Sequence, residues 1–368
     1  MNKVCKIVAI NPGSTSTKIA AYENSTEIYS QNISHDADVL KEMGEVQNQL
    51  SYRKDTVIKA LEGEGISLKD VDIFVGRGGG LVPITGGVYK VEEGLLDHAS
   101  RGMSGQHPAQ LASQICDLLV KEYGGCAYVV NPPDVDEFEE IARVTGLSDV
   151  YRESRIHTLN QKEVALRYCK MKQKSYEQCN LIVCHIGGGI SVTAHRQGKM
   201  IDSNDIINGD GPMTPTRAGA LPTVPLLKLC FSGKYTYKEL YSRLSKDGGL
   251  IDHLGTADAR EIEARIREGD SYAKLIYDAM IYQIAKNVGS CACVLKGKVD
   301  AIILTGGIAN SKYLVGELKS YIDWIAQVET MAGEFEMEAL AAGALRAYSG
   351  EEEALQYTGI PVWSGFAK

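Results

Sequence analysis

Three turns rich in small residues carry the residue types in this sequence that could do chemistry. They are residues 11–18, 187–189 and 305–310, and each follows an apolar run that is typical of a β-strand. Glycine lets the backbone approach an anion closely, and Ser and Thr hydroxyls add short donors. Lys18 at the end of the first turn could add a point charge. One such turn is commonly a plain hairpin, but three of them favour a phosphate-binding site.

Two arginines lie in loops of a similar kind. Arg77 is flanked by glycines in residues 76–80, directly after a predicted strand, and Arg217 lies within the glycine- and proline-containing residues 209–219. A guanidinium that a bare or rigid backbone presents can clamp a phosphate or carboxylate through two parallel hydrogen bonds. The alternative for either residue is a solvated surface arginine.

Histidines at predicted element ends are weaker candidates. His107, His157 and His185 each have this position, and a capping or core role is the alternative for each. The spacing of His and Cys residues does not match a zinc site. The glycine patterns of Walker-type ATPases and of Rossmann dehydrogenases are also absent from the sequence.

Composition narrows the possible classes of protein. The chain has 368 residues, of which 44% are hydrophobic and 23% charged, so it can bury a large core and is expected to form about two domains. A net charge of −8 argues against general nucleic-acid binding. No apolar run approaches the ~18 residues that a membrane span needs. Nine scattered cysteines and the absence of a convincing export signal favour the cytoplasm.

An approximate internal repeat predicts the fold. Residues 4–22 and 181–195 each have the pattern strand, small-residue turn, strand. Two such hairpins half a chain apart indicate two similar domains with a ligand cleft between them, although chance similarity is an alternative. Strands also alternate with predicted helices, which indicates the α/β class. We expect those helices at residues 107–121, 136–144, 160–173, 257–295 with a break near Gly269, and 336–348.

Nine segments, in order along nearly the whole chain, form a specific pattern: residues 11–18, 76–81, 107–109, 160–162, 184–189, 211–219, 255–261, 306–311 and 336–340. Together they resemble the acetate and butyrate kinases of the sugar kinase, heat-shock chaperone and actin superfamily. The resemblance implies two duplicated ribonuclease H-like (actin-like ATPase) domains with an interdomain cleft. Residues 1–150, completed by 350–368, would form the first domain. Residues 151–349 would form the second, which would bind adenosine and form the dimer interface.

The resemblance also implies an activity. The family transfers the γ-phosphoryl group of ATP, with Mg²⁺, to a short-chain fatty acid carboxylate and makes an acyl phosphate reversibly. The expected partners are therefore ATP or ADP, a small carboxylate, and further copies of the chain in a homodimer or higher homo-oligomer, but neither nucleic acid nor membrane.

Roles for individual residues follow from the same resemblance. The catalytic residues would be Asn11, Arg77, His157, His185 and Arg217. The nucleotide-binding residues would be Ser14, Ser16, Lys18, Gly187, Gly188, Gly189, Gly306, Gly307 and Asn310. The carboxylate would be bound by Arg77, Gly78, Gly79 and His107. The Mg²⁺ ligand would be Glu338, with Glu336, Asp134 and Asp136 as alternatives.

Departures from the family pattern leave alternatives open. Asn131 stands where an active-site aspartate is expected, and Ala257 replaces an expected asparagine. Asp134 or Asp136 could substitute for the missing carboxylate. If neither does, the chain would be a nucleotide-binding module with reduced or lost turnover.

The acyl group is weakly specified. Glycines at positions 78–80 replace bulkier residues of acetate kinases and suggest room for a C3–C5 acid. Each extra buried methylene could contribute about 0.8 kcal/mol. Butyrate is the leading substrate, and propionate or a branched-chain acid is the alternative.

Overall fold

The structure is a computed structural model that describes residues 4–366. In chain order the strands are β1 (Lys6–Pro12), β2 (Ser16–Glu23), β3 (Thr26–Ser34), β4 (Ile73–Gly76), β5 (Val88–Lys90), β6 (Cys126–Val130), β7 (Asn180–Ile186), β8 (Ile190–Arg196), β9 (Lys199–Ser203), β10 (Ala301–Gly306) and β11 (Val328–Ala332). The helices are α1 (Ala37–Met43), α2 (Leu50–Gly63), α3 (Glu93–Arg101), α4 (Leu111–Tyr123), α5 (Glu140–Arg143), α6 (Thr158–Met171), α7 (Thr223–Cys230), α8 (Tyr237–Ser245), α9 (Leu250–Leu254), α10 (Ala259–Arg267), α11 (Ser271–Val294), α12 (Lys312–Ile322) and α13 (Glu336–Ser349).

The strands form two sheets in which five strands share one topology, and the first sheet has β5 as an additional antiparallel edge strand. The first has the order β3-β2-β1-β4-β6-β5, and the second has the order β11-β10-β7-β8-β9. In each sheet three consecutive strands pair antiparallel, and the first of them also pairs parallel with a later strand, β4 or β10. The predicted duplicated ribonuclease H-like α/β architecture is therefore confirmed.

Burial explains why the central strands were recognisable from apolar runs. Strands β4 and β10 are buried along their whole length, and β7 is buried except at its first residue. A strand that is covered on both faces needs apolar residues at consecutive positions rather than at alternate ones. Helices α2 and α4 pack in the core of the first sheet, and α11 and α12 pack in the core of the second. None of the helices between residues 4 and 366 is both long and apolar enough to cross a membrane.

One predicted helix is wrong. Residues 136–144 were expected to be helical, but only the single turn Glu140–Arg143 is. The backbone N–H of Glu139 donates to the carbonyl of Ile201, so this segment bonds to the edge of the second sheet rather than to itself. The long helical region instead has the expected form: α10 and α11 are separated at Gly269, which has a φ of +96°.

The chain divides into two compact units. The first contains the described residues up to Asp136 together with those from Phe335 onward, and the second is Glu137–Glu334. The sequence interpretation placed these divisions at 150/151 and 349/350. The difference arises because α13 packs against β1, β4 and β6 and so belongs to the first unit. The single turn α5 belongs to the second.

Candidate active site

The first hairpin places three candidate side chains on one face. Asn11 on β1 pairs with Lys18 on β2, and cross-strand partners project to the same side of a sheet. Ser16 lies two residues from Lys18 and therefore shares that face, whereas Thr17 projects to the other side. The turn is closed by a hydrogen bond of 2.7 Å from the N–H of Gly13 to the carbonyl of Ser16.

A fully buried arginine that the sequence interpretation missed donates hydrogen bonds to this turn. Nη1 of Arg53 donates to the carbonyl of Ser16 and to Oγ1 of Thr17, each at 3.0 Å. Its Nε donates to Gln49 at 3.0 Å, so none of these acceptors is a carboxylate. Burial lowers the pKa of Arg53, and its charge lies directly behind the turn. The sequence did contain a signal for its burial: Arg53 lies four residues before the apolar Val57 and therefore on the same buried face of α2.

A glutamate joins the two candidate residues of the first sheet. Glu336, in the first turn of α13, accepts a hydrogen bond of 2.9 Å from Nδ2 of Asn11. Its other oxygen lies 2.5 Å from Nη1 of Arg77 in an ion pair. Glu338 lies about 200° further around the helix and so projects from another side. The structure thus brings the alternative, Glu336, to Asn11 and Arg77, and not Glu338.

The charge of Arg77 also acts on His107. Its Nδ1 accepts a hydrogen bond of 3.2 Å from the N–H of Ala109, so it caps a short 3₁₀ turn, and the residue is exposed. Desolvation lowers the pKa of His107, and the charges of Arg77 and Arg53 lower it further. These effects favour the neutral form of the imidazole close to Arg77.

The backbone conformation and the packing, rather than space for an acyl chain, explain why glycines follow Arg77. Gly78 and Gly79 have φ values of +72° and +145°, which favour glycine. A Cβ at position 78 would lie 2.4 Å from Cγ1 of Val129. The space that the sequence suggested for an acyl chain at Gly78 is therefore filled by Val129, and the glycine serves the backbone and its packing.

Asn131 holds a turn. It is buried with a φ of +39°, a region that asparagine tolerates better than most residues. Its Oδ1 accepts the N–H of Gly87 at 2.8 Å, and its own N–H donates to the carbonyl of Gly87 at 2.9 Å. Nearby, buried Asp134 accepts a hydrogen bond from Ser104, and Asp136 is buried as well.

In the second unit, the glycine turn between β7 and β8 is fastened to the loop that carries Arg217. The hydroxyls of Thr214 and Thr216 donate to the carbonyl of Gly188, at 2.8 and 3.1 Å. The N–H of Arg217 donates to Oγ1 of Thr214 at 3.0 Å. A Cβ built on Gly189 would lie only 2.0 Å from Nη1 of Arg217, so glycine is what allows the guanidinium to lie on the turn.

The guanidinium of Arg217 can accommodate a further hydrogen-bond acceptor. Its Nη1 is buried and has no hydrogen-bond partner within the part of the chain that the structure describes. Desolvation lowers the pKa of Arg217, and Asp205 opposes that shift. Leaving a buried cationic donor unsatisfied costs about 1–3 kcal/mol or more, which a bound phosphate oxygen would recover.

Two histidines stack beside this arginine. The rings of His157 and His185 have centroids 3.9 Å apart and an interplanar angle of 15°. Nδ1 of His185 bonds to Oδ1 of Asn160, and Nδ1 of His157 bonds to Oγ of Ser191, each at 2.8 Å. A Cβ on Gly187 would lie 3.1 Å from Nε2 of His185, so the stack is in close contact with the glycine turn.

A pocket of about 910 Å³ opens from the same turn. Gly188, Gly307 and Asn310 line it, together with Asp258 and Arg260. Nδ2 of Asn310 donates to the carbonyl of Gly307 at 2.9 Å and shapes one wall. The pocket could hold a nucleoside whose phosphates extend over the glycine turn.

Comparison with known proteins decides the family. Residues 150–338 match the model of the acetokinase family. The chain is 46% identical to butyrate kinase 2 of Clostridium acetobutylicum, over 96% of this chain and 99% of that protein. It belongs to the acetokinase family. Butyrate kinase 1 of the same organism is 42% identical, again over 96% of this chain and 99% of the relative.

Solved structures show the acetokinase fold at low sequence identity. The acetate kinase of Porphyromonas gingivalis has a TM-score of 0.73 and 17% identity, and covers 94% of this chain and 100% of its own. A propionate kinase of Francisella tularensis has a TM-score of 0.71 and 19% identity, and covers 92% of this chain and 98% of its own. Both support the duplicated α/β fold described above.

Proposed function

We propose that this chain is a butyrate kinase, which transfers the γ-phosphoryl group of ATP to butyrate or a similar C3–C5 carboxylate and also runs the reverse reaction. Relatives named butyrate kinase that are 42–46% identical over nearly the full length support the activity. One observation carries the proposal: the buried Nη1 of Arg217 has no hydrogen-bond partner among residues 4–366, and it lies on a glycine turn beside a nucleoside-sized pocket.

The chemistry needs charge compensation rather than a base. A short-chain carboxylic acid has a pKa near 4–5, so its oxygen is already a nucleophile at neutral pH. That oxygen attacks the γ-phosphorus, the bond to the bridging oxygen breaks, and ADP leaves with the electron pair. Repulsion between two unit negative charges 4 Å apart costs about 4 kcal/mol at an effective dielectric near 20. Arg77 and Arg217 are proposed to offset this repulsion and the charge on the equatorial oxygens.

Mg²⁺ fits the residues present, provided that the nucleotide supplies most of its ligands. Between residues 4 and 366 there is no group of three or more His, Cys, Asp or Glu side chains that could hold a metal alone. Mg²⁺ is commonly held by one or two carboxylates together with substrate phosphates and water. Glu336, oriented by Asn11 and Arg77, is the carboxylate we propose for it, in place of Glu338. When bound, the ion would neutralise phosphate charge.

The remaining candidates take positions around the nucleotide in this proposal. Gly306, Gly307 and Asn310 would contact adenosine, and Gly188 and Gly189 would offer backbone donors to the distal phosphates. The N–H of Gly187 already donates to the carbonyl of Gly189 at 3.1 Å, so Gly187 would shape the turn instead. The first hairpin, with Ser14, Ser16 and Lys18, would lie beside the transferred group, and Arg77, Gly79 and His107 would meet the carboxylate.

A hydroxamate assay tests the function directly. ATP, Mg²⁺ and butyrate are incubated with enzyme and hydroxylamine, which traps acyl phosphate as hydroxamate. We expect a higher kcat/KM for butyrate than for acetate, with propionate and isobutyrate assayed in parallel as the alternative substrates. Tight ATP binding without hydroxamate from any C2–C5 acid would instead identify a nucleotide-binding module, the rival that Asn131 suggests.

The resemblance supports two further proposals. We propose a homodimer formed through the second unit, which sedimentation velocity would test. ATP as a substrate favours the cytoplasm as the compartment, which fractionation would test.

A further inference from the structure

A continuous chain of buried hydrogen bonds runs behind His157 in the second unit. Oη of Tyr176 lies 2.7 Å from Nδ1 of His195, and Nε2 of His195 lies 3.2 Å from Oε1 of Gln161. Nε2 of Gln161 lies 2.7 Å from Oγ of Ser191. Ser191 Oγ in turn lies 2.8 Å from Nδ1 of His157. The first four side chains are buried, and the phosphoryl-transfer roles proposed above use none of them.

The direction of each hydrogen bond can be assigned from donor and acceptor chemistry. Nε2 of Gln161 also lies 3.2 Å from the carbonyl oxygen of Ser191, which can only accept, so the amide nitrogen must be on that side. Oε1 therefore faces His195, and Nε2 of His195 must carry a hydrogen. Burial, and then the charge of Lys162, lower the pKa of His195 to about 3, so the ring is neutral. Its bare Nδ1 accepts the hydroxyl proton of Tyr176.

The last bond in the chain determines the proton position on His157. Ser191 Oγ already accepts a hydrogen from Gln161, and its own hydrogen needs an acceptor. Within the described residues that acceptor is Nδ1 of His157. We propose that Ser191, held by Gln161 and His195, is a positioning residue that keeps neutral His157 protonated on Nε2, so that the ring offers an N–H to the transferred phosphoryl group. The identity of that group rests on the proposed function.

The stacked neighbour has the opposite assignment. Nδ2 of Asn160 lies 2.5 Å from the carbonyl oxygen of Glu334, so its Oδ1 faces His185 and accepts from Nδ1. His185 therefore carries its hydrogen on Nδ1 and His157 carries it on Nε2. Asn160 and Gln161 are consecutive in the first turn of α6, so one helix end sets both rings.

The experiment compares Ser191→Ala with Thr193→Val. Thr193 lies on the same strand and the same face, is also fully buried, and bonds to Ser203 outside the chain of hydrogen bonds, which makes it a matched loss of one hydroxyl. Two-bond ¹H–¹⁵N correlation spectra of histidine-labelled, full-length enzyme report which ring nitrogen carries the proton. We expect His157 on Nε2 and His185 on Nδ1 in the wild type. Thr193→Val should match it, whereas Ser191→Ala should move His157 toward Nδ1–H.

Kinetics supply the second readout. Ser191→Ala should lower kcat by on the order of 10- to 100-fold with little change in the KM for ATP, because it misdirects one donor to the transition state. Ser191→Thr, which restores a hydroxyl, should recover part of that loss. His157 protonated on Nδ1 in the wild type, or on Nε2 in Ser191→Ala, would overturn the proposal. The spectra need no substrate, so a wild type that forms no hydroxamate would refute the proposed function and leave the tautomers to decide this inference.

Discussion

A methyl group added at Gly189 tests the arrangement on which the proposed chemistry depends. An alanine Cβ there would lie 2.0 Å from Nη1 of Arg217, whereas ordinary contacts begin near 3.4 Å. The guanidinium would have to retreat by about 1.4 Å, the difference between those two distances. The same Cβ would lie 3.4 Å from Cε1 of His157, so the histidine can stay in place.

The size of the effect follows from that displacement. Misplacing a positioned group by 1 Å can reduce a rate by on the order of 100-fold, which is about 2.7 kcal/mol of activation free energy. The clash involves the far end of a flexible arginine rather than the backbone. We therefore expect kcat of Gly189→Ala to fall by about 100-fold while the free energy of unfolding changes by less than about 1 kcal/mol.

The assay is hydroxamate formation at saturating ATP and butyrate, run beside thermal unfolding of the same samples. Gly188→Ala adds the same methyl group one residue earlier, where it would meet no atom within 4 Å. Both variants add a methyl group to the proposed nucleotide-binding turn, so the loss of kcat in Gly189→Ala beyond that in Gly188→Ala reports the displacement of Arg217. A kcat for Gly189→Ala within about threefold of that for Gly188→Ala would refute the role given to the guanidinium.

Three further outcomes follow. Arg217→Ala should lower kcat by on the order of 10²–10³-fold and weaken ATP binding far less, since its charge matters most in the transition state; equal losses measured by kinetics and by calorimetry would make it a ground-state contact. Asn131→Asp should keep or raise hydroxamate turnover, because an aspartate can still accept the N–H of Gly87 at a φ of +39°; a large loss would show that the amide nitrogen is needed. The pKa of His195 is lowered from 6.5 to about 3, so the unfolded chain binds the extra proton in this range and stability falls as pH drops through it. Between pH 7.5 and pH 5, the free energy of unfolding measured with urea should fall by about 2 kcal/mol more in the wild type than in His195→Gln. Parallel pH profiles of the two proteins would contradict the burial argument.

Features that depend on neighbouring residues were readable from the sequence. The glycine turn at 187–189 and the strands around it follow from an apolar run that is buried on both faces, and α10 and α11 follow from periodicity with a break at Gly269. Residues 136–144 were predicted to be a helix because their polar pattern fits one, but only Glu140–Arg143 is helical and the N–H of Glu139 bonds to strand β9. The local pattern carries no record of that partner.

Features that depend on distant residues needed the tertiary structure. The resemblance pointed to Glu338, with Glu336 as an alternative, but it is Glu336 that bonds to Asn11, which is 325 residues away. The glycine at position 78 suggested empty space, and the side chain that fills that space comes from Val129 on another strand.

The amino-acid sequence by itself determined the strands, the small-residue turns and the two arginines, because periodicity and backbone freedom act between neighbours along the chain. Only the tertiary structure showed which carboxylate bonds to Asn11, and only its hydrogen bonds assign the proton of His157 to one ring nitrogen. The direction of a hydrogen bond depends on which donors and acceptors folding brings together from separate strands and helices. The spacing of residues along the chain does not specify these partners.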